Sequence, residues 1–214
     1  MSPRWSRSNP LALAVLVSLY EKPMHPYEVA QTLRARAKHE SVRLNYGSLY
    51  AVVESLEKKG FIKATGTLRE GKRPQRTVYA ITDEGMLEMT DWLTELIGTP
   101  VKEYPAFMAG LSFIPALSPD EALAALRRRA EALTVRLAGL RGAMQAATEA
   151  GLPRIFELEG EYEERQLVAE LDYVKGLVRA MASNALEGLE IWRLFHSEDF
   201  DPEEVHFTLE LPKE

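Results

Sequence analysis

Between positions 69 and 76 the sequence sets four cations, Arg69, Lys72, Arg73 and Arg76, against one carboxylate, Glu70, with Gly71 and Pro74 shaping a turn among them. A cationic loop of this kind grips phosphates through charge, without regard to base sequence. Upstream runs Asn45-Tyr46-Gly47-Ser48-Leu49-Tyr50-Ala51, rich in small, amide and hydroxyl side chains. Such groups let a helix enter a major groove, read base edges and hold phosphate oxygens. Either pattern alone is commonplace, since turns are often Lys- and Gly-rich and exposed helix faces are polar. Their order and closeness point to a nucleic acid, with Asn45, Tyr46, Gly47, Ser48, Tyr50, Ala51, Glu54, Arg69, Lys72, Arg73, Gln75 and Arg76 as candidate contacts.

Other chemistries find little support. His25, His39, His196 and His206 lack the spacing of metal ligands, and there is no cysteine, so neither a metal site nor a cofactor is expected. No glycine-rich phosphate loop with its lysine appears. The many carboxylate pairs fall on helix faces, where solvated surface is their ordinary role. The expectation is that the chain is not an enzyme, with a ligand-sensing enzyme relic as one rival and a winged helix that docks protein as another.

Periodicity and punctuation give the elements that must position these groups. Asn9-Pro10 starts a helix that is apolar nearly all round to Tyr20, and Pro23 ends it. Pro26 opens a second helix, Tyr27 to about Ala37, with Tyr27, Ala30 and Leu33 on one face. A third, Tyr46 to Lys59, turns Leu49, Val52, Val53 and Leu56 inward, so that Gly47, Ala51, Glu54 and Lys58 face out. Gly60 is its left-handed stop. Residues 61–68 and 77–81 read as two strands around the cationic turn, and Thr82 caps a fourth helix to about Ile97. Three helices, a hairpin and a further helix make a winged helix-turn-helix, placed at residues 1–98.

Pro100 and Pro105 mark a boundary to a second domain at 99–214. A short helix, Ala106 to Leu117, precedes a capping box at Ser118-Pro119-Asp120-Glu121. Leu123, Leu126, Ala130, Leu133, Leu137, Leu140, Met144 and Ala147 then alternate gaps of three and four, a coiled-coil seam. Gly151-Leu152-Pro153 breaks the helix, and one long helix is expected from Arg154 to His196. Folding back at that break sets Arg136 and Arg141 beside Glu161 to Glu170, an antiparallel hairpin within one subunit. The stripe Leu171, Val174, Val178, Met181, Ala185, Trp192 and Phe195 is then expected to extend beyond its partner helix and dimerise with a second copy. Trp5, Trp92 and Trp192 either line an apolar effector pocket or simply pack.

The charge supports this division. Of 214 residues, 46% are hydrophobic and 27% charged, an ordinary globular balance of one or two domains. The net charge is −6, but residues 1–82 carry 14 − 6 = +8 and residues 83–214 carry 12 − 26 = −14. A basic front on an acidic chain expects its polyanion at the front only. The apolar runs Leu11–Leu19 and Ala106–Leu117 fall short of the ~20 residues of a spanning helix. No small-residue cleavage site follows the first, so a cytoplasmic protein without a membrane partner is expected.

The stretch Leu44-Asn45-Tyr46-Gly47-Ser48-Leu49-Tyr50, with Val53, Leu56, Glu57, Lys58 and Gly60-Phe61-Ile62, resembles the third helix of PadR-like transcriptional regulators. Arg73-Pro74-Gln75-Arg76-Thr77-Val78-Tyr79 and Ile81-Thr82-Asp83-Glu84-Gly85 resemble that family's wing and following helix. His25-Pro26-Tyr27-Glu28-Val29 is similar to its second-helix entry, although Pro26 stands where glycine is usual, and Ala51 stands where many members have proline. The resemblance covers residues 10–95 closely and the helical remainder more loosely. It implies a homodimer on a palindromic operator in double-stranded DNA, usually a repressor released by a small ligand. It also implies Tyr46, Ser48 and Tyr50 on the DNA, with Lys72, Arg73 and Arg76 on its backbone. An activator remains the alternative.

Overall fold

The first helix is built as its punctuation demands. In α1 (Pro10–Glu21) the Asn9 side chain accepts a hydrogen bond from the Leu11 amide at 3.1 Å, and Leu11, Val15, Leu16 and Leu19 are buried. The computed structural model describes residues 7, 9–38, 41–68 and 76–197. Its chain falls into two compact units, Met1–Lys102 and Glu103–Glu214.

In the first unit, α1 is the hub on which α2 (Pro26–Ala35), α3 (Tyr46–Lys58), the hairpin and α4 (Asp83–Gly98) pack. Among its described residues one polar side chain, Ser18, is buried, and it is satisfied by donating to the Ala14 carbonyl at 2.8 Å. The second helix ends earlier than its sequence pattern predicts, because Ala37 adopts a left-handed φ of 55°. Tyr27, grouped from spacing on one face with Ala30 and Leu33, is exposed, and Pro26, Val29, Ala30 and Leu33 form the buried face. The third helix buries Leu49, Val52, Val53 and Leu56 as expected, and Gly60 stops the chain at φ 80°.

The hairpin pairs β1 (Ile62–Leu68) antiparallel to β2 (Arg76–Ile81), with a bulge between Ala64 and Gly66. Met24 exchanges two backbone hydrogen bonds of 3.0 Å with Tyr79, covering part of the free edge of β2. Thr82 joins hairpin to helix twice over. Its hydroxyl donates to the Gly60 carbonyl at 2.6 Å and accepts from the Gly85 amide at 3.0 Å. Glycine is required at 85, since a Cβ there would lie 2.0 Å from the Phe61 carbonyl oxygen. On α4, Trp92 is buried in this unit's core, and Glu88 and Glu95 hold Arg7.

The second unit is all helical among the described residues: α5 (Ala106–Ser112), a short 3-10 turn, α6 (Pro119–Glu149), another 3-10 turn, α7 (Leu158–Ala182) and α8 (Leu189–Phe195). The helix expected over Ala106 to Leu117 is split, its tail becoming the 3-10 turn Ile114–Ala116 around Pro115. Ser118 and Glu121 form the expected capping box. Gly151, at φ 77°, turns the chain, and α6 and α7 lie antiparallel. Arg129–Glu170, Arg136–Glu163 (2.6 Å) and Arg141–Glu164 (2.6 Å) tie them. Between them, Leu126, Leu133 and Leu137 meet Leu167, Leu171 and Val174.

The single long helix expected from Arg154 to His196 is not formed. A 3-10 turn precedes α7, and Asn184 (φ 57°) and Gly188 (φ 79°) break the helix before α8. The chain turns back there, and the Trp192 indole donates to the Leu117 carbonyl at 2.8 Å. The apolar stripe therefore does not run out along a free helix. Leu171, Val174, Met181 and Trp192 are buried in the core of their own unit, Val178 is half-buried against it, and Ala185 lies exposed in the turn. Phe195, at the end of α8, is half-buried.

Candidate nucleic-acid interface

The start of α3 stands out of the first unit. Asn45 caps it, its side-chain oxygen accepting from the Ser48 amide at 2.7 Å. That fixes the side chain and leaves its NH₂ group as a donor. Tyr46, Gly47, Tyr50, Ala51, Glu54 and Lys58 are exposed, and Ser48 is half-buried. A Cβ on Gly47 would meet nothing closer than 3.6 Å, so the chain's own packing does not require a glycine there.

Neighbouring elements hold this surface in place. The Tyr46 ring stacks on Tyr27 of α2, centroids 6.2 Å apart and planes within 12°. Arg34, two turns further along the same face of α2, lies over the Tyr46 ring at 4.7 Å and donates to its hydroxyl at 2.6 Å. Arg76, the first residue of β2, sits 5.6 Å from the Tyr27 centroid. His25 meets the Tyr50 ring edge-on at 6.4 Å, and its Nδ1 accepts from the Tyr27 amide at 3.0 Å. In the neutral ring the proton is therefore on Nε2. Burial pushes the His25 imidazole below its ordinary range, helped by the charge of Arg76 and opposed by Glu28.

A cleft of about 400 Å³ opens between α3 and β2, lined by His25, Tyr50, Glu54, Glu57, Arg76 and Tyr79 among others. The Tyr79 hydroxyl donates to Glu57 at 3.3 Å. Burial first, then Glu57 and Glu54, raises the Tyr79 phenol above its ordinary value.

Of the twelve residues singled out from the sequence, the seven on α3 and its cap share one surface with Arg76 near its edge. Arg69, Lys72, Arg73 and Gln75 lie outside the described residues, as does Trp5. Trp92 and Trp192 each fill the core of their own unit, which is the packing role. Among the described residues no group of histidines and carboxylates is arranged to hold a metal ion, and no helix is long and apolar enough to cross a membrane. Sequence reasoning missed His25, Tyr27 and Arg34. Tyr27 and Arg34 are seven residues apart, two helical turns, so their shared exposed face was available from spacing.

Three packed helices, an exposed third-helix start and a hairpin with a cation, Arg76, at the loop end of its second strand define a winged helix-turn-helix protein. Residues 15–91 match the transcriptional regulator PadR-like family. The chain is similar to the probable transcriptional regulator Rv1176c of Mycobacterium tuberculosis, 33% identical over 82 residues, 38% of this chain and 42% of that protein. It is also similar to the negative transcriptional regulator PadR of Bacillus subtilis, 26% identical over 111 residues, 52% of this chain and 60% of that one. The matches thus span about half the length of these curated relatives. The fold extends the likeness. The Bacillus subtilis PadR structure with operator DNA overlays 81% of this chain and 99% of its own with a TM-score of 0.68 at 19% identity. The same protein with p-coumaric acid overlays 80% of this chain and 98% of its own, with a TM-score of 0.66 at 19% identity.

Proposed function

We propose that this protein is a cytoplasmic, sequence-specific DNA-binding transcriptional regulator that works as a homodimer on a palindromic operator. The observation that carries the reading is the exposed start of α3. Its apolar side is buried, its outer side is small and polar, and a cation, Arg76, stands beside it at the loop end of β2. Phosphate grip comes from the cations of the wing, Arg69, Lys72, Arg73 and Arg76, with Gln75 among them. Base reading belongs to Asn45, Gly47, Ser48, Tyr50, Ala51 and Glu54, whose carboxylate suits a cytosine amino group. Two copies, joined through the helical second unit, set their third helices ~34 Å apart in successive major grooves. The regulator represses, and a small apolar or aromatic ligand releases it. Support for both statements comes from the Bacillus subtilis relative, a negative regulator solved with p-coumaric acid.

Selection of bound duplexes from a random pool tests the reading. The expected product is an inverted repeat with half-sites about 10 base pairs apart centre to centre. With roughly 6–8 phosphates neutralised per dimer, log affinity should fall against log salt with a slope near −5 to −7. Recovery of no enriched sequence, together with binding indifferent to salt, would refute it.

A further inference from the structure

The contacts around Tyr46 form a continuous chain, Arg34–Tyr46–Tyr27–Arg76, drawn from α2, α3 and β2. Its middle is two stacked phenol rings, and each end is a guanidinium lying over one of them. Stacking orients a guanidinium without neutralising it. The hydrogen bond from Arg34 ends on a neutral phenol oxygen, so it leaves the cation's charge intact. It also fixes the phenol. With its oxygen accepting from Arg34, the Tyr46 O–H is polarised and left as a donor. A charged fork and a directed hydroxyl held 2.6 Å apart suit an oxyanion that takes a hydrogen bond from each. A carboxylate ligand would be satisfied by the fork alone, whereas a phosphodiester oxygen on a duplex running past the start of α3 meets both groups.

We propose that Arg34 and Tyr46 together form a backbone-phosphate site on the DNA surface, sequence-independent and separate from the wing. This rests on the DNA-binding reading above. Tyr27 and Arg76 act behind it, keeping the Tyr46 ring flat and tying the wing to the entry of α3.

The test uses the full chain, one duplex recovered from random-pool selection and one unrelated duplex of equal length, each titrated across salt. Arg34→Ala should weaken both duplexes by the same factor, roughly tenfold, and make the salt slope shallower by about 1 per subunit. Arg34→Lys should recover the slope while recovering only part of the affinity, because a lysine lacks the fork. Tyr46→Phe keeps the stack and removes the hydroxyl. It should weaken both duplexes with the slope unchanged. Unchanged affinity and slope in Arg34→Ala overturn the proposal. So does a loss confined to the selected duplex, which would make Arg34 an aid to base reading. Wild-type protein that binds neither duplex defeats the DNA reading itself, an outcome distinct from either.

Discussion

At the residue scale, His25 has a capping duty that protonation would end. Its Nδ1 accepts the capping bond of α2, and a protonated ring accepts nothing. Its pKa is depressed in the fold from an ordinary value of 6.5, so the unfolded chain takes up the proton first as pH falls. The stabilisation is therefore complete above about 6.5 and is lost as pH drops through the lower, folded value. Replacing His25 with Asn, a capping residue that does not titrate, should flatten the fall in melting temperature below about pH 6.5. Equal slopes in both proteins would count against His25 as the source. Gly85→Ala tests a steric demand instead. With a carbonyl oxygen 2.0 Å from the new Cβ, helix α4 must shift away from Phe61, at a cost of about 1–3 kcal/mol in urea denaturation. The inward residues of α3 were legible in the sequence because they obey a local rule of spacing. The Tyr27–Tyr46 stack and the place of Arg34 were not. They depend on how α2 crosses α3, which no local pattern encodes.

At the element scale, the α6–α7 hairpin separates what directs pairing from what stabilises it. Arg136–Glu163 and Arg141–Glu164 fix which way the helices align, and these arginines are more than half exposed. Exposed pairs of this kind are worth ~1 kcal/mol or less. Leu133, by contrast, is 7% exposed between the helices. Leu133→Ala should cost about 2–5 kcal/mol, and Arg136→Ala no more than about 1 kcal/mol, in paired thermal melts. Comparable losses in both would show that charge carries more of the hairpin than its solvation allows. The sense of this hairpin was legible from charge alone, since only the antiparallel arrangement puts arginine beside glutamate. The break before α8 was not. Met181, Ala185, Gly188 and Trp192 continue the alternation of four and three straight across it, so a coherent stripe concealed a turn. Ser183-Asn184 and Gly188 were the punctuation that betrayed it. For the homodimer proposed above, the contact surface is to be sought among side chains the fold leaves outside, such as Phe113, Ile155, Phe156 and Tyr162.

At the scale of the whole molecule, charge and apolar surface are assigned to different partners. In the function proposed above, the basic front would meet DNA and lose its grip as salt rises, whereas burial of apolar surface between subunits would be little weakened by screening. Raising salt to about 1 M should therefore abolish operator binding while the sedimenting species stays a dimer. Dissociation at that salt would place the subunit contact among charges. The same segregation was legible from composition, because the sign of charge changes near residue 82 without any knowledge of the fold. The bulge in β1 and the Met24–Tyr79 bridge have a bearing on the life of this molecule in a crowded cell. A two-stranded ribbon offers two unpaired borders, each a template on which another chain's backbone can polymerise. Here one border is partly occupied by the link at Met24, and the other is interrupted at Thr65 and carries the charge of Lys63. The hairpin is therefore a poor seed for fibrils.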